Sequence, residues 1–173
     1  MKTEQQLKGI SVLLCDVDGV LTDGGIIYDN EGIESKRFHI RDGLGIKLWQ
    51  KVGHRFGLIT GRSSHVVQLR ANELGIDIVR QGFDDKLQVA KQLIRDLGVT
   101  PDEVCFVGDD LPDLPVMQHV GLAACVADAA EELKQVAHVV THLRGGEGAV
   151  RELIERLLKA QGRWTELMQK YLE

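Results

Sequence analysis

Acidic residues recur in this chain where apolar runs end. Asp16 and Asp18 close the run Val-Leu-Leu-Cys in the segment Cys-Asp-Val-Asp-Gly-Val-Leu-Thr, and Asp109 and Asp110 close Val-Cys-Phe-Val-Gly, with Asp113 three residues on. Thr60 ends a further run in Leu-Ile-Thr-Gly-Arg, and Lys86 stands at the start of a helix-period segment that follows another. In an open α/β sheet, ligands sit in the crevice at the carboxyl ends of the strands, so all these groups are directed to one place. Singly, each has a plainer reading: an Asp after a strand caps a helix or forms a turn, a lone Thr is a satisfied hydroxyl, a lone Lys is solvated. Four such features in one order are better explained by one shared site.

Charge indicates what that site would hold. Two carboxylates about 4 Å apart repel by roughly 4 kcal/mol at an effective dielectric of about 20. A cluster of Asp16, Asp18, Asp109 and Asp110 therefore needs a cation, and all-oxygen ligands with room for water suit Mg2+. Lys86 would add a second positive charge. Such a site attracts a phosphate ester through its metal.

The order Asp-x-Asp-Gly-x-x-Thr, Thr-Gly-Arg, Lys and Gly-Asp-Asp-x-x-Asp, running from residue 12 to residue 113, resembles the four motifs of the haloacid dehalogenase superfamily phosphatases. The resemblance implies that Asp16 is the nucleophile and forms an aspartyl-phosphate. It implies that Asp18 protonates the leaving oxygen, then activates water, and binds the metal through its backbone carbonyl. Asp16 and Asp109 would be the carboxylate metal ligands, Thr60 and Lys86 would hold the phosphoryl oxygens, and Asp110 and Asp113 would orient metal waters. A covalent carboxylate intermediate splits one difficult displacement into two. Expelling halide needs no acid, so an Asp at position 18 favours phosphoryl transfer.

Nearly the whole chain is similar to one capless subgroup, the 3-deoxy-D-manno-octulosonate 8-phosphate phosphatases. The similarity lies in a hairpin followed by Arg41-Asp42-Gly43-Leu44-Gly45-Ile46, in Gly-Asp-Asp-Leu-Pro-Asp, and in Arg-Gly-Gly-Glu-Gly-Ala-Val-Arg-Glu. It implies a small sugar acid phosphate as substrate and a homotetramer whose hairpins build a central barrel, with a neighbouring subunit covering each site. Substrate contacts would fall on Asp18, His39, Ile40, Arg41, Asp42, Gly43, Lys47, Arg62, Arg70 and Lys86. His39 and Lys47 depart from the subgroup's pattern, in which Asn and Arg are usual.

Arg62, Arg70 and Lys47 exceed what the phosphoryl group needs, which suggests a second anion, the carboxylate of a sugar acid. The alternative is that Arg70 and Lys47 pair with Glu73 and Asp77. The glycines of residues 144–148 would let backbone approach a ligand, in trans as part of a lid; the alternative is a turn before a helix. Competing functions are a phosphatase for a nine-carbon keto-deoxy sugar acid, a phospho-acceptor signalling domain, or a regulatory module without catalysis. In a phospho-acceptor domain the acidic pair and the acceptor lie on different strands, whereas Asp16 and Asp18 are two residues apart.

The frame for these groups follows from periodicity. Strands are expected over residues 10–16, 55–60, 77–80, 104–109, 122–126 and 138–141, and helices over 42–51, 63–74, 84–97, 111–119, 129–137, 149–161 and from 164. Thr100, Pro101 and Glu103 mark a single helical turn, and Gly75 and Gly98 stand where helices end. Residues 24–40 break the alternation as two short strands, 26–29 and 34–40. Ile26, Ile27, Ile33 and Phe38 there cannot reach their own core. The pattern predicts an α/β fold with a Rossmann-like doubly wound parallel sheet, a projecting β-hairpin and no cap domain. Only 25 residues separate Thr60 from Lys86, too few for an insertion.

A chain of 173 residues is expected to form a single domain, 1–173. Its net charge of −5 argues against nucleic acid or an anionic membrane as partner. No apolar run approaches the eighteen or so residues of a membrane span, and the N-terminus is too polar for a signal peptide. Cys15, Cys105 and Cys125 sit inside apolar runs, without metal-ligand spacing, which suits buried thiols in a reduced, cytoplasmic protein. The six histidines show no zinc-ligand spacing.

Overall fold

A computed structural model describes residues 2–172. In chain order its elements are α1 (Lys2–Gly9), β1 (Val12–Cys15), β2 (Ile27–Tyr28), β3 (Glu34–Ser35), α2 (Ile40–Lys51), β4 (Arg55–Thr60), α3 (His65–Leu74), β5 (Ile78–Gln81), α4 (Lys86–Leu97), β6 (Val104–Gly108), α5 (Leu114–Met117), β7 (Leu122–Cys125), α6 (Glu131–Val136), β8 (Val139–Val140), α7 (Ala149–Ala160) and α8 (Trp164–Gln169). Single 3-10 turns occupy Pro101–Glu103 and Leu111–Asp113.

Six strands form one parallel sheet in the order β5-β4-β1-β6-β7-β8. β1 lies between β4 and β6, with Val12 opposite both Arg55 and Val104 and Cys15 opposite both Leu58 and Val107. Successive crossovers leave β1 in one direction to β4 and β5, then return to β6 on its other side. That reversal opens a crevice at the carboxyl ends of β1 and β6. The strands of the sheet centre are buried along their length, as parallel strands covered on both faces must be. α1 and α2 both pack on α7, and α5 packs on α4 and on α6. Right-handed crossovers put the first group and α3 on one face and the second on the other. Trp49, Phe56 and Phe106 are among the largest side chains of the core.

The doubly wound sheet and its helices agree with the sequence reading, and Gly75 (φ 68°) and Gly98 (φ 67°) end α3 and α4. Three elements differ; the strand expected over 34–40 ends at Ser35, and Ile40 already belongs to α2. The helix expected over 111–119 divides into a 3-10 turn and the four-residue α5, because Pro112 and Pro115 offer no N–H and the Asp113 side chain takes the N–H of Asp109. The polar N-terminus forms α1, held by buried Leu7 and by a bond from Gln6 Nε2 to the Gly121 carbonyl.

Between β1 and α2 the hairpin β2–β3 stands apart from the main sheet. Its turn is organised by Asp29, whose Oδ1 accepts from the N–H groups of Glu31 and Ile33. Ile26, Ile27, Tyr28 and Ile33 are each at least half exposed. Phe38 corrects the expectation: it packs against the core, with the Arg70 guanidinium 5.8 Å from its ring centre. Among the described residues no helix is long and apolar enough to cross a membrane.

A buried carboxylate ties α2 to α7. Asp42 is 1% exposed, and its Oδ1 accepts from the N–H of Arg151 at 2.7 Å. Gly148, at the N-cap of α7, has no side chain to offer, so Asp42 supplies the cap from another helix. Burial raises the Asp42 pKa to about 6 against the opposing pull of that N–H. Asp42→Ala should lower stability by about 1–2 kcal/mol, roughly 3–7 °C in Tm, and Asp42→Asn by less because it keeps an acceptor. Denaturant and thermal unfolding measure both; an unchanged midpoint for the alanine variant would show that the contact contributes nothing.

Candidate active site

The loop after β1 is wound around Thr22. Its hydroxyl accepts from the N–H groups of Gly19 (3.3 Å) and Gly24 (3.2 Å), while the N–H groups of Val20, Leu21 and Thr22 converge on the Val17 carbonyl. Gly19 has φ 88°, and a Cβ there would lie 2.0 Å from Asp109 Oδ2, so only glycine lets this loop close onto the end of β6. At that end Asp113 folds back: its Oδ2 accepts from the N–H of Asp109 (3.0 Å), and its Oδ1 accepts from Lys86 Nζ (2.7 Å). Lys86, the first residue of α4, also lies 2.9 Å from Asp16 Oδ1, as an ion pair without hydrogen-bond alignment. Thr60 arrives buried at the end of β4.

Asp16, Asp18, Thr60, Arg62, Lys86, Asp109, Asp110 and Asp113 thus line one cavity of about 460 Å3, with Phe83 and Asp84 at its wall. Of the expected metal-site residues, the Asp18 side chain is turned to Lys36, and the close oxygens come from Asp16, Asp109 and Asp113, within 4.8 Å of one another. Asp113 has both oxygens engaged, which leaves Asp16 and Asp109 to offer free ones. Asp110 accepts from the N–H of Leu111 and caps the 3-10 turn.

Three carboxylates against one ammonium leave a charge of −2 (three negative, one positive), which a divalent cation would cancel. Burial, then Asp113, raises the Asp16 pKa to about 6 in opposition to Lys86; burial, then Asp16 and Asp113, raises that of Asp109 to about 8. Burial works against the charge on Lys86, and Asp16 and Asp113 outweigh it, so its pKa is raised. Asp16 Oδ1, Asp18 Oδ2, Asp109 Oδ1 and Arg62 Nε are buried without a hydrogen-bond partner. Unpartnered acceptors around an excess of negative charge fit a hard dication, and the unpartnered guanidinium N–H fits an anion beside it.

The other expected substrate contacts lie elsewhere in the subunit. His39 Nδ1 accepts from the N–H of Arg41 and caps α2. Ile40, Gly43, Lys47 and Arg70 share a shallow depression on the α2–α3 face, and Arg41 borders another beside α7. The Asp42 carboxylate is occupied by α7 and Gly43 is buried against Arg70, so neither side of that pair opens to the Asp16 cavity. Arg70 donates to Glu73 at 2.7 Å, the alternative weighed for it, and with Lys47 stays outside the cavity mouth. Within the subunit Gly145 and Gly146 pack closely on the loop after β1: a Cβ on Gly145 would lie 1.7 Å from the Gly19 carbonyl oxygen, and the N–H of Gly146 donates to the Val20 carbonyl. Sequence reading passed over Lys36 and Glu34, which reach Asp18 and Arg62 from the hairpin. Their spacing of two along one strand, which places both side chains on one side, was the available signal.

Residues 75–153 match the family model described as haloacid dehalogenase-like hydrolase. With the carboxylates at the switch point of a parallel sheet, that match defines the class. A 3-deoxy-D-manno-octulosonate 8-phosphate phosphatase of Yersinia pestis is 45% identical over 157 residues, 91% of this chain and 84% of that protein. The solved structure of such a phosphatase from Moraxella catarrhalis, in complex with magnesium ion, phosphate ion and KDO, gives a TM-score of 0.96 at 40% identity and covers 98% of each chain. The cobalt-bound form of the Haemophilus influenzae enzyme gives 0.93 at 37% identity, over 98% of this chain and 100% of that one. The chain belongs to the 3-deoxy-D-manno-octulosonate 8-phosphate phosphatase family.

The raised carboxylates make metal binding and stability depend on pH together. Their folded pKa values, about 6 and about 8, exceed the ordinary 3.8, so the metal-free fold holds protons that the unfolded chain releases. Their contribution is fully present below that ordinary value and is lost as pH rises through 6 and 8. Metal-free protein should therefore lose Tm between about pH 5 and about pH 9, and Mg2+ should restore most at the alkaline end. Thermal melts with chelator and with Mg2+ across that range are the measurement. A Tm indifferent to Mg2+ at the alkaline end would exclude a cation at this cluster.

Proposed function

We propose that this chain is a magnesium-dependent phosphomonoesterase that hydrolyses 3-deoxy-D-manno-octulosonate 8-phosphate to the free sugar acid and phosphate, in the synthesis of a lipopolysaccharide precursor. The observation that carries this reading is the set of unpartnered carboxylate oxygens on Asp16, Asp18 and Asp109 around one cavity, with Lys86 against Asp16. The names of its relatives support the substrate.

Asp16 attacks phosphorus; the bond from phosphorus to the sugar oxygen breaks, and that oxygen takes a proton from Asp18. Water then attacks the aspartyl-phosphate, gives its proton to Asp18, and frees Asp16 with inorganic phosphate. The side chains of Asp16 and Asp109 and the carbonyl of Asp18 would hold Mg2+, which when bound neutralises charge on the phosphoryl oxygens. Lys86 and Thr60 hold the phosphoryl group. Asp113 orients Lys86 and the backbone of Asp109, and Arg62 meets the sugar-acid end.

The working form is a homotetramer. The exposed Ile26, Ile27 and Ile33 give the hairpin an apolar surface of the kind that pairs with another chain. His39, Arg41, Lys47 and Arg70, remote from their own cavity, serve a neighbouring one. One core cluster runs through the sheet and both helix layers, as suits a single domain over 1–173. Three buried free thiols suit a reducing, cytoplasmic setting.

Phosphate release in Mg2+ should favour the eight-carbon sugar acid phosphate over a neutral hexose 6-phosphate by roughly 10- to 100-fold, the worth of one charge-assisted contact. Equal efficiency would remove the sugar-acid assignment, and a faster nine-carbon acid would reassign the substrate. Asp16→Asn should fold and lose a factor of about 1,000 or more in kcat. Light scattering at micromolar concentration should give four times the chain mass of 19.2 kDa; a monomer would exclude the tetramer.

A further inference from the structure

Lys36 follows β3 on the hairpin, and its side chain is only 1% exposed although it ends in an ammonium. A lysine so buried is held by its partners. They are Asp18, whose Oδ1 accepts from it in a short ion pair, and Glu34, whose Oε1 lies 3.3 Å away. Glu34 is fixed in turn: Arg62 Nη2 donates to its Oε1 at 3.1 Å, and Ser64 Oγ, the N-cap of α3, donates to its Oε2. Arg62 also reaches the Tyr28 hydroxyl at 2.9 Å. Tyr28 and Glu34 thus clamp the hairpin onto the loop after β4, and Lys36 ties it to Asp18 in the loop after β1.

Asp18, which lines the cavity, is divided by this clamp. Its Oδ1 is held by Lys36, whereas its Oδ2 is buried without a hydrogen-bond partner, with Arg62 Nε 3.8 Å away. Lys36 is absent from the cavity wall, and of its two partners only Asp18 lines the cavity.

We propose that Lys36 is a positioning residue for Asp18, holding one carboxylate oxygen so that the other is presented to the ester oxygen. The role rests on the phosphatase reading above and lies outside its four motifs. A carboxylate fixed on one oxygen keeps a single rotamer, and proton transfer is sensitive to displacements of about 1 Å. Without the ammonium, Asp18 is free to swing towards Arg62 and lose its aim.

Single-turnover phosphoryl transfer with two esters tests this, using the full-length protein with Mg2+. An alkyl phosphate needs its leaving oxygen protonated; 4-nitrophenyl phosphate leaves as a stable anion. Lys36→Met should slow the alkyl ester by roughly 10- to 100-fold and the aryl ester by less than about threefold, with KM little changed. Lys36→Arg keeps the charge but moves it, and should lower the alkyl-to-aryl ratio by a smaller factor, roughly three- to tenfold. It carries the test alone if the methionine variant does not fold. A lysine that only anchors the hairpin would slow both esters alike, and an unchanged ratio in the folded variants overturns the proposal. Asp18→Asn is measured alongside. If it spares the alkyl ester, the acid–base reading itself fails; a selective loss there with none at Lys36 overturns only the positioning role.

Discussion

Carboxylates crowded around a single ammonium at the ends of β1 and β6 set the terms for the rest of the molecule. Left to relax, Asp16, Asp109 and Asp113 would turn outward into water and the repulsion would vanish. Nothing around them allows it. Asp113 is held by Lys86 on one oxygen and by a backbone N–H on the other. Asp16 continues the β1 ladder through its own N–H to the Val107 carbonyl. Gly108 leaves the room Asp113 occupies, where a Cβ would come within 2.4 Å of Oδ2. A frame this fixed keeps charge where a phosphoryl group would need it neutralised, and does so before any ligand arrives.

The hairpin reflects the same demand from its other side. Glu34 and Lys36 turn their charges towards Arg62 and Asp18, while Ile33 and Ile27 are left in solvent. One face of a short ribbon is thereby bound to the site and the other made available for association. Immediately beyond it, Phe38 docks on the core and His39 starts α2, so the hairpin is anchored at its exit as well.

How much of this is legible in the sequence depends on how local each interaction is. The strand Arg55–Thr60 and the helix-ending Gly75 and Gly98 are local, and their positions follow from pattern alone. The motif residues are legible because a parallel sheet sends strand ends to one side, which turns spacing into proximity. What fails is long-range. Asp42 pairs with Arg151, 109 positions away, and α1 is secured through Gln6 to Gly121, 115 positions away. Arg70 could be placed on a helix face, but that this face meets Phe38 and Gly43 is decided by the packing of α2. Lys36 drew no attention because its burial depends on Asp18, eighteen positions away on another segment.

The contact between Gly145–Gly146 and the loop after β1 bears on how the molecule is born. The loop that follows Asp18 rests on backbone synthesised some 125 residues later, and α7, which Asp42 caps, comes later still. At about 5–20 residues per second, the ribosome takes on the order of ten seconds to cover that distance. For that interval the nascent chain carries the loop after β1 without the backbone it rests on. The Asp16–Asp18 segment and the glycines of 145–146 must meet before either has its shape, so the growing polypeptide gains this geometry only after both have left the ribosome.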